Sequence, residues 1–424
     1  MTGEMYWKEL REVRFKDKEN EAINQAVQKI IADVQKRGDA ALIDYTKRFD
    51  QVELESLVVT AEEIQGAKKT VGDSFLQAIQ KAHDNIQAFH VEQKEKTWLT
   101  SREEGVILGQ KISPLQSVGI YVPGGKAAYP STVLMNAIPA KIAGVKEIAM
   151  TTPVGKDGKV NPYVLAAASI AGVETIYKVG GAQAIAALAY GTETVQKVVK
   201  IVGPGNAYVA NAKKWVFGDV AIDMIAGPSE ICIVADESAK PAYAAADLLS
   251  QAEHDEMASA ICITTSDLFA KALQREVKVQ MEIADRKEII EQSIKNNGRI
   301  VLVDSLEEAY AIVNELAPEH LQLMVDNPME KLANIQNAGA IFLGNYAPEA
   351  LGDYVAGPNH TLPTSGTAKF SSPLGVYDFI KKSSIIHYTS SAFLQVADDI
   401  VEIANAEGLT AHANAINIRK GFLK

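Results

Sequence analysis

The sequence predicts an α/β protein with two mostly parallel-sheet domains set between helical N-terminal and C-terminal extensions, and three observations carry that reading. A chain of 424 residues with 47% hydrophobic content can bury more than one ordinary domain core. From Val106 to about Gly344, short β-branched runs alternate with helical stretches and glycine-containing turns, the signature of βαβ units. The runs begin at Ser117, Glu147, Thr175, Val198, Glu230, Ala260, Arg299 and Ala340, more than one small sheet needs. In such sheets ligands are expected at the carboxyl ends of the strands.

Residues 1–19 are polar and charged and read as a short helical arm. From Asn20 to Lys36 an amphipathic helix puts Ile23, Val27, Ile30, Ile31 and Val34 on one stripe. A long helical region runs from about Ala61 to Lys94; its His83 and His90 share a face, nothing converges on them, and both read as surface or boundary side chains. The sheet region divides into a discontinuous first domain, 20–120 plus 230–370, and a second, 121–229. Gly227-Pro228 makes a tight turn into the Glu230 strand, and a helix can start at Pro241. From Asn345 to Pro373 the chain turns rich in Gly, Pro, Asn and Ser, too long for a passive connection. The tail, 371–424, returns to helix, with Phe393, Val396, Ile400, Ile403 and Ala404 at helical spacing.

A formal net charge of -11 disfavours nucleic acid or an anionic membrane as the main partner. The N-terminus lacks an apolar secretory core and no segment has the apolar length of a membrane span, so a cytoplasmic location is expected. Cys232 and Cys262 both sit in Ile-Cys-Ile runs and read as buried core fillers rather than nucleophiles.

Five constellations carry chemistry. Glycine turns follow strands at Tyr121-Val-Pro-Gly-Gly, Val179-Gly-Gly-Ala-Gln183 and Val202-Gly-Pro-Gly-Asn206; such turns let backbone N–H groups approach a phosphate at a helix N-terminus. Together with Tyr121, Gln183 and Asn206 they suit a nucleotide cleft, although none fits Gly-x-Gly-x-x-Gly. Gln251 and His254, three apart at a helix end, share a face and can meet one ligand or metal, while a plain polar helix end accounts for the helix taken alone. Ala317-Pro-Glu319-His320 pairs a carboxylate that can activate water with an imidazole that moves protons near neutral pH. Asp353 and His360, on the glycine-rich loop, suit a metal or a polar substrate, and Glu407-Gly-Leu-Thr-Ala-His412 lies in the tail. These residues by themselves leave open a metal-dependent hydrolase or lyase acting on a phosphorylated metabolite, and a two-domain small-molecule binding protein.

Ile222-Asp-Met-Ile-Ala-Gly-Pro-Ser-Glu through Gln251-Ala-Glu-His254, with the three glycine turns, Ala317-Pro-Glu-His, Gly352-Asp, Asn359-His-Thr-Leu-Pro-Thr and Leu409-Thr-Ala-His, resembles the histidinol dehydrogenase family from about Arg37 to His412. The resemblance implies two Rossmann-like domains and an NAD-dependent zinc enzyme that oxidises L-histidinol to L-histidine through histidinaldehyde. It further implies Gln251, His254, Asp353 and His412 as ligands of one Zn2+ per subunit, metal positions that also touch substrate. Glu319 and His320 become the acid–base pair, His320 also meeting substrate. Ser229, His360 and Glu407 become substrate contacts, and Tyr121, Gln183 and Asn206 the NAD contacts. The tails are expected to mediate a homodimer in which His412 and Glu407 complete the neighbouring subunit's site. Departures such as Lys126-Ala-Ala-Tyr are peripheral to every named role.

Overall fold

A computed structural model describes residues 1–13, 21–124 and 128–423; part of the expected N-terminal arm, the Asn20 helix start and the Lys126 departure lie outside them. The chain forms two compact units, Met1–Gln93 with Leu115–Asp378, and Lys94–Pro114 with Phe379–Lys424. Both parallel sheets belong to the larger unit.

Two strands of the smaller unit, β1 (Trp98–Thr100) and β2 (Val106–Pro114), come first in the chain. The first parallel sheet follows, with β3 (Ser117–Tyr121), β4 (Glu147–Thr151), β5 (Thr175–Tyr177), β6 (Lys200–Val202) and β7 (Ala221–Ile222) in the order β5-β4-β3-β6-β7. The second contains β8 (Glu230–Ala235), β9 (Ser259–Thr264), β10 (Gly298–Leu302), β11 (His320–Met324) and β12 (Ala340–Leu343) in the order β10-β9-β8-β11-β12. Both sheets thus share one topology: the chain starts in the middle, adds two strands on one side, then crosses to the other. Each has a topological switch point, between β3 and β6 and between β8 and β11.

The sequence explains this burial. β3 is buried throughout, and β8 and β9 each bury five successive residues, the continuous apolar run required of strands covered on both faces. Helices Pro130–Ala143, Pro162–Ala171 and Gly181–Tyr190 cover the first sheet and are themselves largely buried, because a further layer packs outside them. That layer is the N-terminal helices: Glu21–Arg37 lies on Gly181–Tyr190 and Ala207–Val216, Ala61–Thr70 on Pro162–Ala171, and Asp73–Val91 on Pro130–Ala143. These contacts attach residues 21–91 to the first sheet, whereas the sequence grouping placed 20–120 with 230–370. Helix Gly3–Val13 packs instead on the second sheet, where Thr2 bridges Leu302 and the Met1 ammonium donates to the Ile300 carbonyl at 3.0 Å.

Several expectations change. The helical region from Ala61 is two helices, Ala61–Thr70 and Asp73–Val91, with Gly72 as the second N-cap. His90 is fully buried, not a boundary residue: its Nδ1 donates to the Ile86 carbonyl at 2.8 Å and its Nε2 accepts from Asn359 at 3.3 Å. β11 starts at His320, a strand that no β-branched run announces. Its His-Leu-Gln-Leu-Met sequence hides a central strand behind two polar side chains. The tail begins with a strand, β13 (Ile380–Tyr388), antiparallel to β2, before helices Ser390–Ala406 and Thr410–Leu423.

Candidate active site and cofactor crevice

At the carboxyl edge of the first sheet the three glycine turns meet. Gly203 has φ 113°, and a Cβ there would lie 2.1 Å from the Tyr121 carbonyl oxygen, so only glycine lets β6 leave this close to the end of β3. The Tyr121 hydroxyl accepts the Gly181 N–H at 3.1 Å, tying the turn after β5 to β3. Beneath the Gly203 turn lies an ion pair between Lys213 and Asp223, whose side chains are 2% and 1% exposed. Lys213 Nζ donates to the Gly203 carbonyl at 2.9 Å and Asp223 accepts the Gly203 N–H at 2.8 Å, holding the turn from both sides. Asn206 then caps helix Ala207–Val216 by accepting from the Tyr208 and Val209 N–H groups at 3.1 and 3.2 Å. Gln183 is buried, and its Oε1 has no protein partner. An orphaned buried acceptor beside a glycine cradle at a switch point fits a dinucleotide carrying hydroxyl and amide donors.

The other cluster lies at the amino edge of the second sheet, contrary to the expectation that ligands gather only at carboxyl ends. Glu230 opens β8 and His320 opens β11, and helix Pro241–Ala252, running back across the sheet, delivers Gln251 in its last turn and His254 just beyond it. Pro241 occupies the first helical turn as expected. The opposite edges have a shared electrostatic reason: helix N-termini favour anions such as pyrophosphate, helix C-termini favour cations.

The backbone sets the tautomer of His320. Its Nδ1 donates to the Glu230 carbonyl at 3.0 Å, and its buried Nε2 has no hydrogen-bond partner, lying 3.7 Å from Asp353 Oδ1. Glu319 and Glu230 clasp each other: Glu319 accepts the Glu230 N–H at 2.9 Å, and Glu230 accepts the Glu319 N–H at 3.3 Å and the Ser365 N–H at 2.9 Å. Burial lifts the Glu319 carboxyl to about 8, with His320 beside it pulling the other way. Burial alone would lower His320, but Glu319, Asp353 and Glu349 outweigh it and lift the imidazole to about 10. A cation held among the same carboxylates would oppose that lift. Burial favours the neutral form of Asp353, yet His320, His360 and His254 hold its carboxyl below the ordinary range.

The Asn345–Pro373 segment contains a helix, Glu349–Tyr354, which brings Glu349 into the cluster. His254, Glu349 and Asp353 each place a ligand atom within 4.8 Å of the others. The Gln251 amide end lies against both Glu349 carboxylate oxygens, at 2.6 and 2.9 Å, and only the orientation with its nitrogen toward them makes hydrogen bonds there. An imidazole, carboxylates and an amide oxygen without thiolate form a donor set that fits zinc or manganese. The sequence signal for Glu349 was its i,i+4 spacing from Asp353, hidden by the loop-like composition. Burial pushes the Glu349 carboxyl up to about 7.

His360 joins the two regions. Its Nδ1 donates to the Asp353 carbonyl at 3.0 Å, while its Nε2 faces Thr132 Oγ1 at 3.4 Å, in the first turn of the helix that follows β3. Ser229 is half-buried at the foot of β8, its carbonyl accepting the Ser259 N–H at 2.9 Å. Glu253, exposed, is the C-cap of its helix. Glu407 caps helix Ser390–Ala406, and His412 stands exposed in the first turn of Thr410–Leu423, both in the smaller unit. Both cysteines are fully buried, and burial pushes Cys262 to about 12 and Cys232 higher still.

A sequence model of the histidinol dehydrogenase family matches residues 13–420. The chain belongs to the histidinol dehydrogenase family. Among its relatives, the histidinol dehydrogenase of Oceanobacillus iheyensis is 60% identical over 414 residues, 98% of this chain and 97% of that protein. That of Clostridium acetobutylicum is 56% identical over 420 residues, covering 99% and 97%. The crystal structure of histidinol dehydrogenase from Elizabethkingia anophelis superposes with a TM-score of 0.91 at 42% identity, covering 94% of this chain and 92% of that one. Among the described residues, no helix is long and apolar enough to cross a membrane.

Proposed function

We propose that this family member catalyses the NAD-linked, zinc-dependent oxidation of L-histidinol to L-histidine through histidinaldehyde, the closing steps of histidine biosynthesis, in the cytoplasm. The observation that carries the reading is the unpartnered Nε2 of His320, held beside Glu319 and facing the His254–Glu349–Asp353 cluster. Family membership supports the substrate.

The overall reaction consumes histidinol, one water and two NAD+ and yields histidine, two NADH and three protons. His320 Nε2 takes the alcohol proton as the first hydride leaves the carbinol carbon; the Glu230 carbonyl keeps Nδ1 protonated, so Nε2 is the basic atom. Glu319 removes a proton from the water that adds to the aldehyde while His320 gives the proton it took to the aldehyde oxygen, and a hydroxyl proton of the resulting hydrate returns to His320 as the second hydride leaves. No thiol is needed, in keeping with two buried, high-pKa cysteines. Gln251, His254 and Asp353 would hold zinc, with His412 of a second copy completing the set; bound zinc supplies a Lewis-acidic anchor for the substrate imidazole and amine. Ser229 and His360, with Glu407 from the second copy, would complete the substrate contacts. Tyr121, Gln183 and Asn206 would line the nicotinamide cofactor's crevice, where NAD supplies the hydride acceptor.

The deciding measurement is NADH formed per histidinol consumed on metal-replete protein, expected to be two. A ratio of zero with histidinol, NAD and zinc present would reject the dehydrogenase reading. Zinc removal is expected to abolish histidinol binding as well as turnover.

A further inference from the structure

We propose that Glu349 is a positioning residue that decides which atom of Gln251 faces the metal. The inference rests on the zinc reading above. A glutamine can ligate a metal only through its amide oxygen, and a free amide turns over at small cost because its two ends are nearly the same size. At Gln251 that freedom is removed. The residue is 1% exposed, so water is not there to satisfy an amide turned the wrong way, and only with its nitrogen turned to Glu349 do both amide ends find partners, the nitrogen then lying 2.6 and 2.9 Å from the two carboxylate oxygens. Reversing the amide would set its oxygen against a carboxylate, two buried acceptors in contact, and would leave the nitrogen without an acceptor. The oxygen is therefore held away from Glu349.

Glu349 is itself fixed. It begins helix Glu349–Tyr354, one turn before Asp353 on the same face. The Ser250 hydroxyl donates to it at 3.4 Å from the helix that carries Gln251. One short helix thus supplies a ligand, Asp353, and the group that orients a second ligand on a different helix. Such partners behind a ligand change metal affinity by about 10–100-fold when removed.

The competing role is direct ligation, since a Glu349 oxygen lies within 4.8 Å of the His254 and Asp353 donor atoms. A mutant cycle read by zinc affinity, through chelator competition on the full-length protein, separates the two. Glu349→Gln should weaken zinc about 10–100-fold, because two facing amides can pair in either orientation. In a Gln251→Ala background the same change should have less than about a threefold effect, since the group it orients is gone. The exchanged pair, Gln251→Glu with Glu349→Gln, should recover most of the affinity lost in Glu349→Gln, as the amide nitrogen introduced at position 349 then faces a carboxylate at position 251; that recovery also shows that the altered helix folds. Equal losses in both backgrounds, or no loss in Glu349→Gln, would overturn the proposal. Unchanged zinc affinity in Gln251→Ala alone would instead overturn the zinc reading beneath it.

Discussion

His320 keeps a free Nε2 because the first residue of the neighbouring strand occupies its other nitrogen. Its removal is expected to cost about 10²–10⁴-fold in turnover; His320→Ala and Glu319→Gln should each lose the overall reaction while retaining metal, checked by NADH formation alongside metal analysis. Glu319 also carries a pH dependence. Only its ionised form accepts a proton, and burial lifts it to about 8, so oxidation of supplied histidinaldehyde should rise from pH 7 to 9. Glu319→Gln should remove that limb from the pH–rate profile; an identical limb in the variant would assign it to another group. Among single residues, Glu319, His320, Gln251, His254 and Asp353 could be picked from the sequence because they are polar types in unusual company. Glu230 and Glu349 could not be assigned roles from it. Glutamates beside a turn or inside a Gly/Pro-rich segment are common, and their roles come from partners far along the chain, Glu319 and Ser365 for the first, Gln251 for the second.

At the scale of the elements, the β6 turn is held by the Lys213–Asp223 pair and by the fit of Gly203 under Tyr121. Lys213→Met leaves a buried carboxylate unpaired and is expected to destabilise the protein by about 3–5 kcal/mol, measured by urea unfolding. Lys213→Met with Asp223→Leu should recover much of that loss, because no uncompensated charge remains. Gly203→Ala faces both a left-handed φ and a blocked Cβ, a strain of about 1–3 kcal/mol. It should raise the KM for NAD with little change in the KM for histidinol, and equal changes in both would detach the turn from the cofactor crevice. The elements themselves were mostly readable: the first four strands of the first sheet, four of the second, and the Pro241 start follow from β-branched runs and proline placement. β11 escaped because a strand flanked on both sides by β8 and β12 draws its stability from pairing, not from its own composition.

At the scale of the whole molecule, the second site is built on the edge that the doubly wound pattern leaves empty of ligands by expectation. The same topology, used twice, offers helix N-termini at one edge and helix C-termini at the other, and the two candidate sites stand at opposite edges, the proposed cofactor crevice where helix N-termini favour anions and the proposed metal cluster where helix C-termini favour cations. The homodimer reading has its own test. Inactive His412→Ala and inactive Gln251→Ala proteins, mixed under conditions of subunit exchange, should recover partial activity, since one of the mixed sites keeps both residues; verified heterodimers without recovery would place a complete site in each chain. By itself the sequence determined the α/β class, the two sheets, the order of the motifs and the family they belong to, because hydrophobic periodicity, proline and glycine are local signals. Only the tertiary structure decided which sheet the N-terminal helices cover, which edge bears the candidate His320 cluster, that His90 is a core residue and that Glu349 faces Gln251. Those outcomes depend on which surfaces meet across a long stretch of chain, and burial and hydrogen-bond partnership are properties of that meeting, not of any residue's neighbours in sequence.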